Sequence, residues 1–573
     1  MENFLMCKIS FRVIGTFFIV VSSMFNVLGQ QAEFNELFDQ LTNSITTVKT
    51  AKFTYEQELQ FENTSVITYG HTKTSLKGVV KVYQYELNFA DIDKYTVRET
   101  TIKDLIVLNV KIKNGQKLIK TYEDNIANGY ADEMSIVAEN IDHARELREI
   151  IEKAIPLGEQ ILLNKLSLDG YDMMIKWLED HVVDAAYDSK SFNQSIHSDP
   201  DYKGKLVFNL IETSGSSSVQ SDYTFNLADI NPNTLNYKIS GNQFSLIFET
   251  SRSHNLIKLV KAGETKPYVD NIQIRTNNVE EARDIKTVID LIIPLAIKEV
   301  EDDMPVLNTK EEALNALNGF TKTISFGTET YEQSLQANCL TSYENTIISE
   351  SKSTQSAYAF NLMDVNENVI DYKISSSKMF VEVITNDKMK LMKVMKAGEL
   401  APYDESFKLY CEDAENARRL KYSIKESIEK CRNEYMYEVP EGDFEDKINW
   451  LIGAIAEVRV GAKTYNQSAE KIMDGEEILL KLSKVEITEK GGTEKIYEFN
   501  FTDINPRNIN YSISSKTISV ALETNFREKI IKYYKDGEIQ NYEEEFEIVM
   551  NDVEAARNVI KAFKDIIELL DEK

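Results

Sequence analysis

Four stretches decide the fold: YELNFADID at 85–93, YTFNLADIN at 223–231, YAFNLMDVN at 358–366 and YEFNFTDIN at 497–505. In the last, Tyr497, Phe499 and Phe501 share one face while Glu498 and Asn500 share the other, the period of a half-buried strand. The recurring Asn (Asn88, Asn226, Asn361, Asn500) and Asp (Asp91, Asp229, Asp364, Asp503) are turn formers, because their side chains accept nearby backbone N–H groups.

Working downstream, Lys120, Lys258, Lys393 and Lys532 recur five residues before a turn. That turn reads KAGE at Gly263 and Gly398 and KDGE at Gly537, with Asn125 in the first copy. Asn is the non-glycine residue that best tolerates positive φ, so all four sites predict a tight hairpin. A Tyr follows at Tyr130, Tyr268, Tyr403 and Tyr542, then an Ala-Arg pair ending in Arg145, Arg283, Arg418 or Arg557. The motif Asp and this Arg are 54 residues apart in every copy. An unbroken separation of that kind means one module used four times.

The closing helix has a marked start. Asn140, Asn278, Asp413 or Asp552 stands five residues before the Arg as an N-cap, and an acid follows two residues later near the positive end of the helix dipole. In the fourth copy Val553, Ala556, Ile560, Phe563 and Ile567 form an apolar stripe at 3–4 spacing.

Upstream of the motif the copies share TYEQ at Tyr55, FNQS at Phe192, TYEQS at Tyr331 and TYNQS at Tyr465. The gap from there to the motif varies, so a variable loop or hairpin intervenes, and the copies differ most around Phe61–Val80 and Ser198–Val219. Trp177-Leu178 and Trp450-Leu451, with Leu41 and Leu317 in the other copies, predict a short opening helix whose Leu faces the core; Trp177 and Trp450 read as core rather than ligand platform. The modules run near 31–157, 165–300, 308–432 and 443–573. EDDMP ending at Pro305 and EVPEG around Pro440 read as linkers, whereas the Pro156–Leu168 junction is more apolar and suited to packing.

The expected class is α+β. Each module is an antiparallel β sandwich or partly open barrel of six to seven strands with an N-terminal helix and a C-terminal capping helix; a single curved sheet carrying both helices is the alternative. The final strand FEIVMND (Phe546–Asp552) and helix VEAARNVIKAF (Val553–Phe563), after a run of strands, resemble the pleckstrin-homology-like fold in layout over most of each repeat. The closing helix lacks the Trp usual in that family, no basic β1–β2 loop for phosphoinositides is present, and an N-terminal helix is added. The resemblance therefore implies the fold without lipid-headgroup binding.

Composition narrows the partners. Hydrophobic residues make up 42% and charged ones 28%, the balance of a folded protein. With 93 Asp+Glu against 65 Lys+Arg the net charge is −28, so neither nucleic acid nor an anionic membrane is an expected partner. Lys8 and Arg12 precede an apolar run from Val13 to Val21 and a small-residue site ending at Gly29, the layout of a signal peptide over 1–29. The expected location is periplasmic or extracellular, soluble after cleavage. Of the remaining Cys339, Cys411 and Cys431, one incidental bridge is possible; an odd number in one module is not a disulfide framework.

Catalytic chemistry is not visible. The five histidines are scattered, none recurs between copies, and no zinc spacing, calcium loop, GxSxG elbow or phosphate loop is present. No catalytic, cofactor-binding or metal residue is assigned and no cofactor is expected. The recurring Asn, Asp, Lys and Arg fit a structural role, with Arg paired to Asp across the sheet-to-helix seam. The sequon at Asn63 matters only in a glycosylating host, and Asn500 is discounted because it lies in a strand. The expected function is an exported, non-enzymatic binding or scaffold protein with an unknown protein or peptide partner. Alternatives are a self-assembling structural envelope protein and, less favoured, a carboxylate-based hydrolase.

Overall fold

A computed structural model describes residues 29–61, 65–166, 168–187, 190–240, 243–475, 477–488 and 491–571. The expected signal segment therefore lies almost wholly outside the described residues, as does Asn63. Two compact units divide the chain: Met1–Gly263 with Val269–Asp303, and Glu264–Tyr268 with Met304–Lys573. Modules 1 and 2, apart from Glu264–Tyr268, fall in the first, and modules 3 and 4 in the second.

All four modules share one topology. In module 1 a six-stranded sheet runs in the order Val48–Lys49, Phe53–Phe61, Val66–Ser75, Val80–Asn88, Ile119–Glu123, Ile126–Ala131, and a second sheet in the order Arg98–Ile102, Leu105–Lys111, Glu133–Ala138. Every pairing is antiparallel. The chain leaves the first sheet after its fourth strand, makes a hairpin in the second, returns for a hairpin at the edge of the first, and ends in the second. The 6+3 arrangement recurs in modules 2, 3 and 4, and neither sheet closes into a barrel. The described residues thus give each module nine strands against the six to seven expected. The additional ones are pieces such as Val48–Lys49 and Glu538–Ile539, too short to show alternation.

The motif sits where the chain changes sheets. Its Asn ends the fourth strand and caps a 3-10 turn, accepting the N–H of Ala90, Ala228, Met363 or Thr502 at 2.8–3.2 Å. Asn500 thus closes its strand as a cap. Surroundings match as well: Tyr85, Tyr223, Tyr358 and Tyr497 stand opposite Tyr69, Phe208, Tyr343 and Leu482 on the third strand. The KAGE-type hairpins have positive φ at both central residues, Asp124 and Asn125 in module 1 and Ala262 and Gly263 in module 2, as a type I′ turn requires.

Opening helices α1 (29–44), α3 (Tyr171–His181), α5 (Lys310–Phe320) and α7 (Phe444–Ala454) alternate with closing helices α2 (Ile141–Leu166), α4 (Val279–Asp302), α6 (Ala414–Asn433) and α8 (Val553–Asp571). Leu41, Leu178, Leu317 and Leu451 are all buried under their opening helices, whereas Trp177 and Trp450 lie half-buried at the core's rim. All four closing-helix caps form, through Asn140, Asn278, Asp413 and Asp552. Helix α2 continues past Pro156, so the first junction is helical as far as Leu166. Among the described residues no helix is long and apolar enough to cross a membrane.

Within each unit the cores are shared. Phe244 and Val279 of module 2 belong to the core of module 1, and Leu391 and Tyr403 of module 3 to that of module 4. Val439, in the EVPEG segment, is buried in the module 4 core, so this connection packs as well as links.

Candidate functional site at the module seams

The recurring polar residues have three fates. The Asn cap the motif turn. The Lys stand half-buried opposite the motif strand, Lys120 across from Glu86 and Lys532 from Glu498, with the Lys120 ammonium 5.1 Å from the Tyr122 ring centroid. Two of the Arg, Arg283 and Arg557, meet a motif Asp across a module boundary. Arg283 of α4 grips Asp91 of module 1, with Nε 2.9 Å and Nη2 2.6 Å from Oδ2, while Nη1 reaches Glu280 at 3.2 Å. In the second unit Arg557 of α8 places Nη2 2.6 Å from Oδ1 of Asp364 in module 3, and its Nη1 bonds Glu554.

This corrects the expectation that Arg pairs with the Asp of its own module. The reason is the length of the closing helix. Gly158 of α2 is where the helix meets its own motif turn, with room for no more than hydrogen: a Cβ there would lie 2.9 Å from the Phe89 Cβ. Arg145 lies 13 residues earlier, roughly 20 Å up the helix, and is turned outward. An arginine at this place can therefore meet the motif Asp of a neighbour. Burial opposes the charge on Arg283 and Arg557, but Asp91 and Asp364 outweigh it and raise both guanidinium pKa values. Burial also raises the Asp364 carboxyl, against the pull of Arg557; the 2.6 Å contact marks an ionised pair.

Cavities flank the pairs. One of about 430 Å³ in the first unit is lined by Ser65, Asn88, Lys165, Glu280 and Arg283. Its counterpart of about 290 Å³ in the second is lined by Thr341, Asn361, Tyr403 and Glu554. There Asn361 donates to Glu554 at 3.0 Å, and so does the Tyr435 hydroxyl. On the other side of Arg283 a cavity of about 320 Å³ lies between Asn114, Glu159 and Tyr237. Tyr237 has its pKa raised by burial and then by Asp91, and Tyr511, at the matching place, by burial and then by Asp364. Each guanidinium is bound by two carboxylates, so its charge is fully met within the bolt, and the cavities are lined by a mixture of Asn, Ser, Thr, Lys, acidic and Tyr side chains.

A recurring residue that the sequence displayed without revealing its role is the Gln two places after the second-strand aromatic: Gln57, Gln194, Gln333 and Gln467. Each side-chain amide imitates a strand. Gln333 donates to Lys322 O (2.8 Å) and Tyr410 O (2.9 Å) and accepts from Tyr410 N (2.7 Å). Gln57, Gln194 and Gln467 make the same three bonds in their modules. The Gln thereby stitches the first sheet to the last strand of the second and to the chain leaving the opening helix.

Cys339 and Cys431 form a disulfide, while Cys411 is free and buried, its thiol pushed up by desolvation. Cys431 holds in α6 the place that Gly158 holds in α2. His71 is enclosed by tyrosine rings and its pKa is lowered to about 4, chiefly by burial and then by Lys73. Among the described residues no group of three or more His, Cys, Asp or Glu is placed to hold a metal ion. Comparison with protein-family models, curated proteins and solved structures gives no match to this chain.

Proposed function

We propose that this chain is an exported, non-enzymatic binding or scaffold protein whose modules act as interaction domains for a protein or peptide, with a layout like the pleckstrin-homology-like fold. The observation that carries this reading is the division of labour between recurring and variable residues. The recurring Gln, Asn, Asp and Arg go into caps, stitches and bolts. The hairpin between the third and fourth strands varies, and in module 1 its tip presents Leu76, 83% exposed, with exposed Val79 and Val80. Module 2 carries Ser-Gly-Ser at Ser214–Ser216 in the same hairpin. Contiguous apolar residues in water are characteristic of contact surfaces, and variable loops on a fixed scaffold are where specificity resides. The pattern at 1–29 and the Cys339–Cys431 bridge support an oxidising, exported location.

The test is a pull-down from the native compartment with the wild-type chain and with a Leu76→Asp/Val80→Asp variant. The reading expects a partner held by the wild type and lost by the variant. Recovery of no partner, or of the same partner by both, overturns it.

A further inference from the structure

Each seam joins two kinds of face. An acceptor face carries the motif Asp with a buried Leu and the recurring Tyr: Asp91, Leu118 and Tyr130 in module 1, and Asp364, Leu391 and Tyr403 in module 3. A donor face carries the start of the closing helix and the first strand of the small sheet: Val279, Arg283 and Tyr237 in module 2, and Val553, Arg557 and Tyr511 in module 4. Contacts confirm the assignment, since the Tyr130 and Phe244 rings meet at 4.9 Å and Tyr403 N–H donates to Ser515 O at 2.9 Å.

In two places the same faces stand in water. On the donor face of module 1, Ile141 is 38% exposed and the Arg145 side chain 57%, although Val279, Val553, Arg283 and Arg557 are buried. Thr101, at the place of the seam residues Ile239 and Ile513, is also exposed. On the acceptor face of module 4, Ile530 is 37% and Tyr542 43% exposed, although Leu118, Leu391 and Tyr403 are buried; Asp503 is partly exposed.

Phe526 is the second, independent observation. All four modules place a non-glycine residue at positive φ at this turn: Asn114, Arg252, Asp387 and Phe526. Asn and Asp take that conformation readily, whereas a bulky aromatic does so at a cost. Phe526 bears the cost while its side chain is 93% exposed, so the ring gains little packing within the single chain in return. In module 1 Asn114 lines the cavity that Tyr237 of the donor module enters, so this turn faces the docking partner. Module 1 has Glu99 where the donors of the two seams have Tyr237 and Tyr511. Glu99 holds Arg148 at 2.8 Å and lies 3.9 Å from Arg145. Module 1 thus lacks the donor aromatic and module 4 adds an acceptor one.

We propose that the chain associates head to tail with a second copy, the donor face of module 1 docking on the acceptor face of module 4. Arg145, paired with Asp142 as Arg283 is with Glu280 and 3.9 Å from Glu99, takes Asp503 of the other chain as a further carboxylate. Phe526 packs against Ile141 and the Arg145–Arg148 pair, an aromatic face beneath guanidinium charge. Such a contact is heterologous and builds rings or filaments rather than closed dimers.

The test is sedimentation velocity with light scattering on the full chain across a concentration series. It is run near 0.15 M salt, where a Debye length of about 8 Å screens repulsion between two acidic chains. Mass should rise with concentration. Phe526→Asn installs the module 1 residue, relieves the strained φ and should melt no lower than wild type while weakening association about tenfold, the effect of roughly 1.4 kcal/mol. Arg145→Asp and Asp503→Arg should each leave single chains. An equimolar mixture of the two should regain growth as an alternating polymer, because each kind of chain then meets only opposite charge, and both changes in one chain should restore growth as well. A wild type of constant single-chain mass, or growth indifferent to Phe526→Asn and to the charge exchange, overturns the proposal.

Discussion

Gln333 shows how much one side chain can hold in this fold. Its amide satisfies two carbonyls and one N–H, and its Oε1 also accepts the Tyr343 hydroxyl at 2.8 Å. Gln333→Ala leaves those buried groups unmet, at about 1–3 kcal/mol for each; with relaxation, a loss of about 3 kcal/mol from module 3 is expected. Hydrogen exchange checks this, because the Tyr410 amide should lose protection far beyond that of distant amides. His71 gives a pH dependence. Its folded pKa, about 4, lies below the unfolded value near 6.5, so the unfolded chain binds the proton more readily. Stability from this site is present above pH 6.5 and is lost as pH falls from there through 4, by at most about 3 kcal/mol. His71→Leu, the residue module 2 has there as Leu210, should flatten the difference between melting at pH 7 and pH 4.5.

The closing helix is the element that organises each module, and Gly158 marks its closest approach. A Cβ at 158 would lie 2.9 Å from Phe89 Cβ and 3.3 Å from Ala90 N, and Phe89 is buried. Gly158→Ala improves helix propensity by about 1 kcal/mol, yet it must push α2 off the motif turn, an overpacking cost of about 1–3 kcal/mol. The clash wins, and the expected net loss is about 1 kcal/mol, read as a lowered denaturation midpoint. What was legible at this scale follows the reach of the interactions. Caps at Asn140, Asn278, Asp413 and Asp552 and the turn at Asn88 are bonds between residues two or three apart, so the sequence order carries them. The Gln stitch joins residues about eighty apart, Gln57 to Val137 for example, and no local pattern says what an amide there will meet. The 6+3 division of strands is equally non-local, because the hairpin that defines the second sheet has the same alternation as the rest.

At the scale of the whole molecule the working piece is the pair of modules, and the pair is bolted through charge. Asp364 and Arg557 stand 193 residues apart in sequence and are both buried; equal spacing within each copy suggested a partner inside the copy, and only the packed structure exchanges it for one in the next. A buried ion pair of this kind is costly to break from one side, because the survivor keeps its desolvation penalty without its counter-charge. Arg557→Met should therefore loosen the module 3–4 seam by about 3–5 kcal/mol, and Asp364→Leu by a similar amount through the stranded guanidinium. The double variant Asp364→Leu/Arg557→Met should recover most of the loss, because two apolar side chains suit a seam already lined by Leu391 and Tyr403. Limited proteolysis in the 434–443 connection, followed against urea for the four proteins of the cycle, measures the coupling. Equal and additive losses would mean that the seam is held by its apolar contacts, with the ion pair a passenger; a coupling of about 2 kcal/mol or more makes Arg557 the residue that locks the pair.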